Sequence, residues 1–443
     1  MAAFTLAALC GCGDPDGRDG GADSVALPAP SGSATSAATA TVTTTSPALA
    51  SPALPTGTEP ARSAPETSMV AEPAVTQPPE TTEPQPWRAR LVFTGDILSH
   101  EPVSRQARAD GSDGLTYDYL PMFDEVRAVL SGADLAICHL ETPLSPDNED
   151  LSGYPLFNVP GDLAVALAEA GYDGCSTASN HSLDRGVDGI AATLGVLERA
   201  GLGHAGMART VDEAAVPTLY DVEGVTVGHL SYTYGLNELR LPPDQQWAVD
   251  VIDPDAIEAE ARAAVDAGAR FVVLSLQWGV EFVGRPIARQ RTLAERLLAS
   301  EHIDLIVGSH AHVPGPIGRV GDKYVIYGLG NFLTNQSPLS CRSCPESTTD
   351  GVIVGVDLAE ASDGRIEVVG VNAIPTWVDR RSFTITDIAA VLAGDLGPNT
   401  RRHFERSWKR TASALRALDV DIAIMGDPAA GPEDVESGSS SSP

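Results

Sequence analysis

From about residue 87 the chain alternates short apolar runs with segments of helical spacing. Leu305-Ile306-Val307 is too short for a helix and reads as a buried strand. It stops at Gly308, where Ser309-His310-Ala311-His312-Val313-Pro314 follows. Similar runs predict strands over 88–94, 135–140, 174–177, 225–231, 271–276 and 324–327. Asp162 to Ala170 has apolar residues at helical spacing, with Asp162 as an expected cap and Gly171 as terminator. Ile190, Leu194 and Leu197 lie on one face of a further helix, and 255–267 and 288–300 predict two more. Strand and helix alternate, which argues an α/β layered domain. Val352 to Leu358 and Ile366 to Ala373 predict a hairpin around Ser362-Asp363-Gly364. A basic amphipathic helix over 400–418 sets Phe404, Trp408 and Leu415 on one side.

The flanks differ in kind. The first twelve residues have the short apolar core of a secretory signal without its basic start, and Leu9-Cys10-Gly11-Cys12 resembles a lipobox. The expectation is export to the cell surface with lipid anchoring at Cys12. Residues 13–86, rich in Ala, Pro, Ser and Thr, cannot form a core and read as a disordered stalk. The division expected is therefore signal 1–12, stalk 13–86, main domain 87–378, helical extension 379–430 and frayed tail 431–443.

With 443 residues, 43% of them hydrophobic, a sizeable core is available. The formal net charge of −31 argues against nucleic acid as a partner, because phosphates would be repelled. No apolar run spans a bilayer, so the membrane is reached by an anchor only.

Polar residues gather where strands stop: Asp96, Glu141, Asn180 with His181, Gln277, and His310 with His312. In extended backbone, side chains two residues apart project to one side, so the two histidines are expected to converge. Open α/β sheets build their sites outside the carboxyl ends of strands. Mixed oxygen and nitrogen donors suit a divalent ion such as Mn, Fe or Zn.

In the same order along the chain stand Phe93-Thr94-Gly95-Asp96, His139-Leu140-Glu141-Thr142-Pro143, Ser179-Asn180-His181-Ser182-Leu183-Asp184, Gln277-Trp278-Gly279-Val280-Glu281, Gly308-Ser309-His310-Ala311-His312 and Gly328-Leu329-Gly330-Asn331-Phe332. This series resembles the motifs of the CapA family of poly-gamma-glutamate capsule synthesis proteins, a branch of the calcineurin-like metallophosphoesterase superfamily. The resemblance runs from about Ala89 to Trp377. It implies a metallophosphatase-like two-sheet β-sandwich flanked by helices, four layers in all, with one or two metal ions between the sheet edges. It implies that Asp96, Glu141 and His312 serve a first ion, and that Glu141, Asn180 and His310 serve a second. It also implies that His181 donates a proton to a leaving oxygen, oriented by Asp184.

Three departures from the family pattern stand out. Gln277 occupies the usual place of a histidine, and an amide oxygen is a weaker ligand. Leu98 stands where the superfamily has the histidine of Asp-x-His. His139 replaces an asparagine, and reads as a core-edge histidine in preference to a ligand. Glu281 either orients a ligand or caps a turn. Asn331 either lines the site or makes a turn, with Gly328 and Gly330 allowing close backbone approach. Trp278 is expected as a packing wall. Cys341 and Cys344 are expected to form a local disulfide, and Cys138 and Cys175 to be buried thiols.

The leading expectation is metal-dependent hydrolysis or transfer at a phosphoester-like bond of a small-molecule or polymer substrate, in association with the machinery of envelope polymer synthesis. A non-catalytic accessory protein is the rival, favoured by Gln277. A carbohydrate- or peptide-binding module is the third.

Overall fold

The computed structural model describes residues 86–111 and 114–427. The signal-like start with Cys12, the stalk up to residue 85, and the tail 431–443 lie outside the described residues. In chain order the strands are β1 (Arg88–Ile97), β2 (Leu135–Leu140), β3 (Leu144–Ser145), β4 (Val159–Pro160), β5 (Gly174–Ser176), β6 (Gly203–Ala205), β7 (Thr218–Val222), β8 (Val225–Thr233), β9 (Phe271–Gln277), β10 (Leu305–Ser309), β11 (Ile317–Val320), β12 (Lys323–Ile326), β13 (Asn331–Leu333), β14 (Asp350–Glu360), β15 (Ile366–Val378), β16 (Ile385–Asp387) and β17 (Ala423–Ile424). The helices are α1 (Glu101–Ala109), α2 (Arg127–Ser131), α3 (Asp162–Ala170), α4 (Gly186–Arg199), α5 (Val211–Ala214), α6 (Pro254–Asp266), α7 (Ala288–Leu298), α8 (Ile388–Ala393) and α9 (Pro398–Leu415).

Two sheets carry the domain. The first runs β16-β15-β14-β1-β2-β5-β6, with β13 also on β1 and β17 on β15; the second runs β11-β12-β10-β9-β8-β7. Side chains alternate across β1 as a strand's pleat requires. Leu91 and Phe93 enter the core between the sheets, and Val92 enters the core under α1 to α4. On the far face of the second sheet, Leu274 and Leu276 pack against Ile257 and Ala261 of α6 and Leu297 of α7. The order helices, sheet, sheet, helices gives the expected four layers.

Residues beyond 378 join the same core: Phe404, Trp408 and Leu415 of α9 are buried between the sheets with Ile424. Asp350 anchors this helix from beneath, accepting from Ser407 Oγ at 2.6 Å and from Arg410 Nε and Nη2 at 2.8 and 2.9 Å.

Two local expectations are corrected. Gly161, not Asp162, is the N-cap of α3, and the Asp162 carboxylate accepts the Tyr117 N–H at 3.0 Å. Cys138 and Cys175 are not thiols: β2 and β5 pair in register at these residues, which brings them into a disulfide. Cys341 and Cys344 form the expected local one. Among the described residues no helix is long and apolar enough to cross a membrane.

Candidate metal centre

Strands β1, β2 and β5 are parallel, as are β8, β9 and β10, so each sheet presents several carboxyl ends at one edge. The two edges meet. Asp96 Oδ1 accepts the backbone N–H of His310 at 3.3 Å, and Gln277 Nε2 donates to Asn180 Oδ1 at 2.7 Å. Asp96, His139, Glu141, Asn180, His181, Asp184, Gln277, His310, His312 and Asn331 are all buried at this junction.

The close approach needs glycine at two places. A Cβ on Gly95 would lie 1.9 Å from the Gly330 carbonyl, which accepts the Asp96 N–H at 2.8 Å. Gly330 itself has φ of 69° and would strike the Asp350 carbonyl. Gly328, expected to serve the same purpose, has ordinary room around it, its nearest neighbour being 3.5 Å away.

His310 and His312 do converge, with ring centroids 5.9 Å apart, but not through extended backbone. Their φ angles are 92° and 56°, so the loop after β10 turns through the left-handed region to aim both rings inward. Such strain in residues other than glycine is typically concentrated at functional sites. Asn331 braces the loop: its Nδ2 donates to the carbonyls of His312 and Thr348.

Two overlapping groups can hold a metal ion. Asp96, His139 and Glu141 form one, and Glu141, His310 and His312 the other; within each, the donor atoms lie within 4.8 Å of one another. The side chains fit a divalent cation. Both oxygens of buried Glu141 lack any hydrogen-bond partner, and so does His139 Nε2. Buried polar atoms without partners are costly and uncommon. Burial pushes the Glu141 carboxyl up to about 8. On His312, burial opposes the charge, yet Glu141 and the hydrogen bond to Asp96 prevail and raise it to about 10. The charge on His312 is thus held in place by the two carboxylates beside it.

His312 Nδ1 lies 2.9 Å from Asp96 Oδ2, and its Nε2 lies 3.6 Å from Glu141 Oε1. His181 Nδ1 is 2.7 Å from Asp184 Oδ2, which also accepts the Phe157 N–H at 2.8 Å. The Phe157 ring stands edge-on to His181 at 4.8 Å. Asp184 therefore holds the imidazole through one nitrogen, and Nε2 makes no hydrogen bond among the described residues.

Gln277 departs from its expected role. Asn237 Nδ2 donates to the Asn180 carbonyl at 3.1 Å, so Asn237 turns its Oδ1 to Asn180 Nδ2, also at 3.1 Å. Asn180 Oδ1 then faces Gln277, which must present Nε2, while its Oε1 accepts from Thr233 Oγ1 at 2.7 Å. The same Nε2 reaches His310 Nδ1 at 3.1 Å. Burial first, then the His312 charge, lowers His310 to about 3, so its ring is neutral and Nδ1 acts as the acceptor. Gln277 enters the site as a donor and not as a ligating oxygen.

Other expectations resolve individually. Glu281 is exposed and makes no hydrogen bond to a candidate ligand, though its charge raises both Glu141 and His312. Trp278 is a packing wall: it stacks on Tyr327 at 5.7 Å and donates to its carbonyl. Sequence reasoning missed His100, whose ring meets Phe157 edge-on at 5.5 Å, and Tyr234, which covers His310 at 4.4 Å. It also missed Thr233 and Asn237. Only His100, four residues after Asp96, had a signal to find; the others act through tertiary contacts.

Residues 90–336 match the family model described as bacterial capsule synthesis protein PGA_cap. The chain is 26% identical over 318 residues to the PGA biosynthesis protein CapA of Bacillus subtilis, covering 68% of this chain and 77% of that protein. It is 24% identical to the capsule biosynthesis protein CapA of Bacillus anthracis, covering 64% and 67%. A probable polyglutamine synthesis accessory protein of Mycobacterium tuberculosis is 26% identical, covering 51% and 63%. Among solved structures, a calcineurin-like phosphoesterase from Bacillus subtilis superposes with a TM-score of 0.38 at 12% identity, covering 75% of this chain and all of that one. That overlap is loose. The match to the family model, spanning more than half of the sequence and all of the strand-end motifs from Asp96 to Asn331, places this chain in the PGA_cap family of bacterial capsule synthesis proteins.

Proposed function

We propose that the protein is a metal-dependent hydrolase or transferase acting at a phosphoester-like bond, in the service of an anionic envelope polymer. The observation that carries this reading is the pair of buried Glu141 oxygens that accept no hydrogen bond and face imidazoles, beside the His181–Asp184 pair. Asp96, Glu141 and His312 are the residues that would hold a divalent ion, which would act there as a Lewis acid toward a phosphoryl oxygen. His181, with Nδ1 committed to Asp184, is left with Nε2 to pass a proton to the leaving oxygen. Phe157 packs edge-on against His181 and donates its backbone N–H to Asp184.

The anionic partner class is supported by a cleft of about 900 Å³ bordering Phe282, Val313 and Pro314, next to the metal loop. Arg285, Arg291, Arg410 and Arg416 line it, although the chain as a whole carries −31. Arg410 and Arg416 are paired with acids, whereas Arg285 and Arg291 are exposed and in no ion pair among the described residues. Export and tethering through Cys12 belong to the same proposal. Two disulfides among the described residues support an oxidising compartment.

The test is turnover of phosphomonoester and phosphodiester substrates with added Mn2+, comparing the wild type with His310→Ala and His181→Ala. Metal-dependent turnover that falls about 10²–10⁴-fold in His181→Ala, with metal content unchanged, supports catalysis. A second reading, an accessory protein without turnover, draws on the donor role of Gln277. Metal binding with no turnover on either substrate class would favour it.

A further inference from the structure

The two sides of the centre are unequal. On one, Asn237, Asn180, Gln277 and His310 satisfy one another in an unbroken chain of hydrogen bonds anchored on the Asn180 carbonyl. Because His310 Nδ1 accepts from Gln277, its ring proton sits on Nε2, and that nitrogen offers no lone pair. On the other side, His139 Nε2 and both Glu141 oxygens are buried without a hydrogen bond, Glu141 Oε1 standing 3.6 Å from His312 Nε2.

Ser176 orients the His139 ring so that Nε2 faces the carboxylates. Its Nδ1 is 2.9 Å from Ser176 Oγ, and the Ser176 hydroxyl donates to the Cys138 carbonyl at 3.2 Å. When the one Ser176 proton goes to the Cys138 carbonyl, Ser176 accepts from His139 Nδ1–H and the lone pair is left on Nε2. That nitrogen lies within 4.8 Å of donor oxygens of Asp96 and Glu141. A ligating imidazole commonly has its second nitrogen fixed by such a partner. Buried His229 also has one nitrogen on a serine hydroxyl and the other without a hydrogen bond, so what sets His139 apart is that its bare nitrogen stands among carboxylate oxygens.

We propose that His139 Nε2 is a direct ligand of one divalent ion, held together with Glu141 and Asp96, while the Asn180–Gln277–His310 side stays closed by its own hydrogen bonds. His139, on β2, would thereby supply to the ion the imidazole that is absent at Gln277. This rests on the metal-dependent reading above.

The test measures ion uptake, not turnover. The full chain is stripped with chelator and titrated with Mn2+ by calorimetry and with Co2+ by visible absorption, for the wild type, His139→Asn, Ser176→Ala and His312→Ala. One ion per wild-type chain is expected. His139→Asn should raise Kd at least tenfold and alter the Co2+ visible bands. Ser176→Ala, which keeps the ring but frees it, should raise Kd about tenfold and carries the test if His139→Asn folds poorly. Two ions per wild-type chain, or a Kd and spectrum unchanged in both variants, would overturn the proposal and leave the metal reading standing. A wild-type chain that takes up no ion, like His312→Ala, overturns both.

Discussion

His139 and Ser176 lie opposite each other on neighbouring parallel strands, joined at 2.9 Å, one residue beyond the Cys138–Cys175 disulfide. The covalent link therefore holds the two strands together where His139 is aimed. The double variant Cys138→Ser/Cys175→Ser should lose about 4 kcal/mol in urea unfolding, the size expected for closing a loop of this length. The separation it closes is 37 residues. It should also bind Mn2+ several-fold more weakly under native conditions. Unchanged Mn2+ affinity in the folded double variant would separate the staple from the site.

Gln277→His should open the closed side. Replacing the amide donor removes the hydrogen bonds to Asn180 Oδ1 and His310 Nδ1 and adds an imidazole. Bound Mn2+ per chain, measured by elemental analysis after dialysis, should rise from one to two. A ratio that stays at one would mean that something other than Gln277 limits the second position.

Arg410 neutralises a carboxylate that is wholly buried, since the Asp350 side chain is 0% exposed and Arg410 is 31% exposed. Arg410→Ala strands that charge under α9. The expected loss in denaturant unfolding is about 3 kcal/mol, the low end for breaking a buried pair because Arg410 itself stays partly wet. Asp350→Asn/Arg410→Ala should regain most of it. An Arg410→Ala chain as stable as the wild type would deny this pair its anchoring role.

Asp250 lies near Glu260 and Asp253 around the Tyr232 hydroxyl. Burial, then the Glu260 charge, raises its carboxyl well above the usual range. The native state thus holds this proton more tightly than the unfolded chain does. Its stabilising contribution is complete below the unfolded carboxylate pKa of about 4 and is lost as pH rises through the higher native value. Asp250→Asn should remove that loss, so its melting temperature should gain on the wild type between pH 5 and pH 8. A difference independent of pH would refute the assignment to Asp250.

Much of this was legible in the residues. Apolar runs such as Leu305 to Val307 and Leu135 to Leu140 must be buried, and their lengths admit only strands. That placed Asp96, Glu141, Gln277 and the two histidines at strand ends before any contact was known. Phe404, Trp408 and Leu415 likewise declared the buried face of α9. What sequence misjudged depended on how strands lie beside one another. Register between β2 and β5 turned two cysteines into a disulfide and gave His139 its serine.

Sequence by itself determined which donors exist and at which ends of which strands they stand, because hydrophobic periodicity is a local property of the chain. Only the tertiary structure decided which nitrogen of each imidazole is free, because that depends on what the other nitrogen meets across the sheet. Ser176 meets one nitrogen of His139 and Gln277 meets one of His310, and these two hydrogen bonds set which side of the centre remains open to an ion.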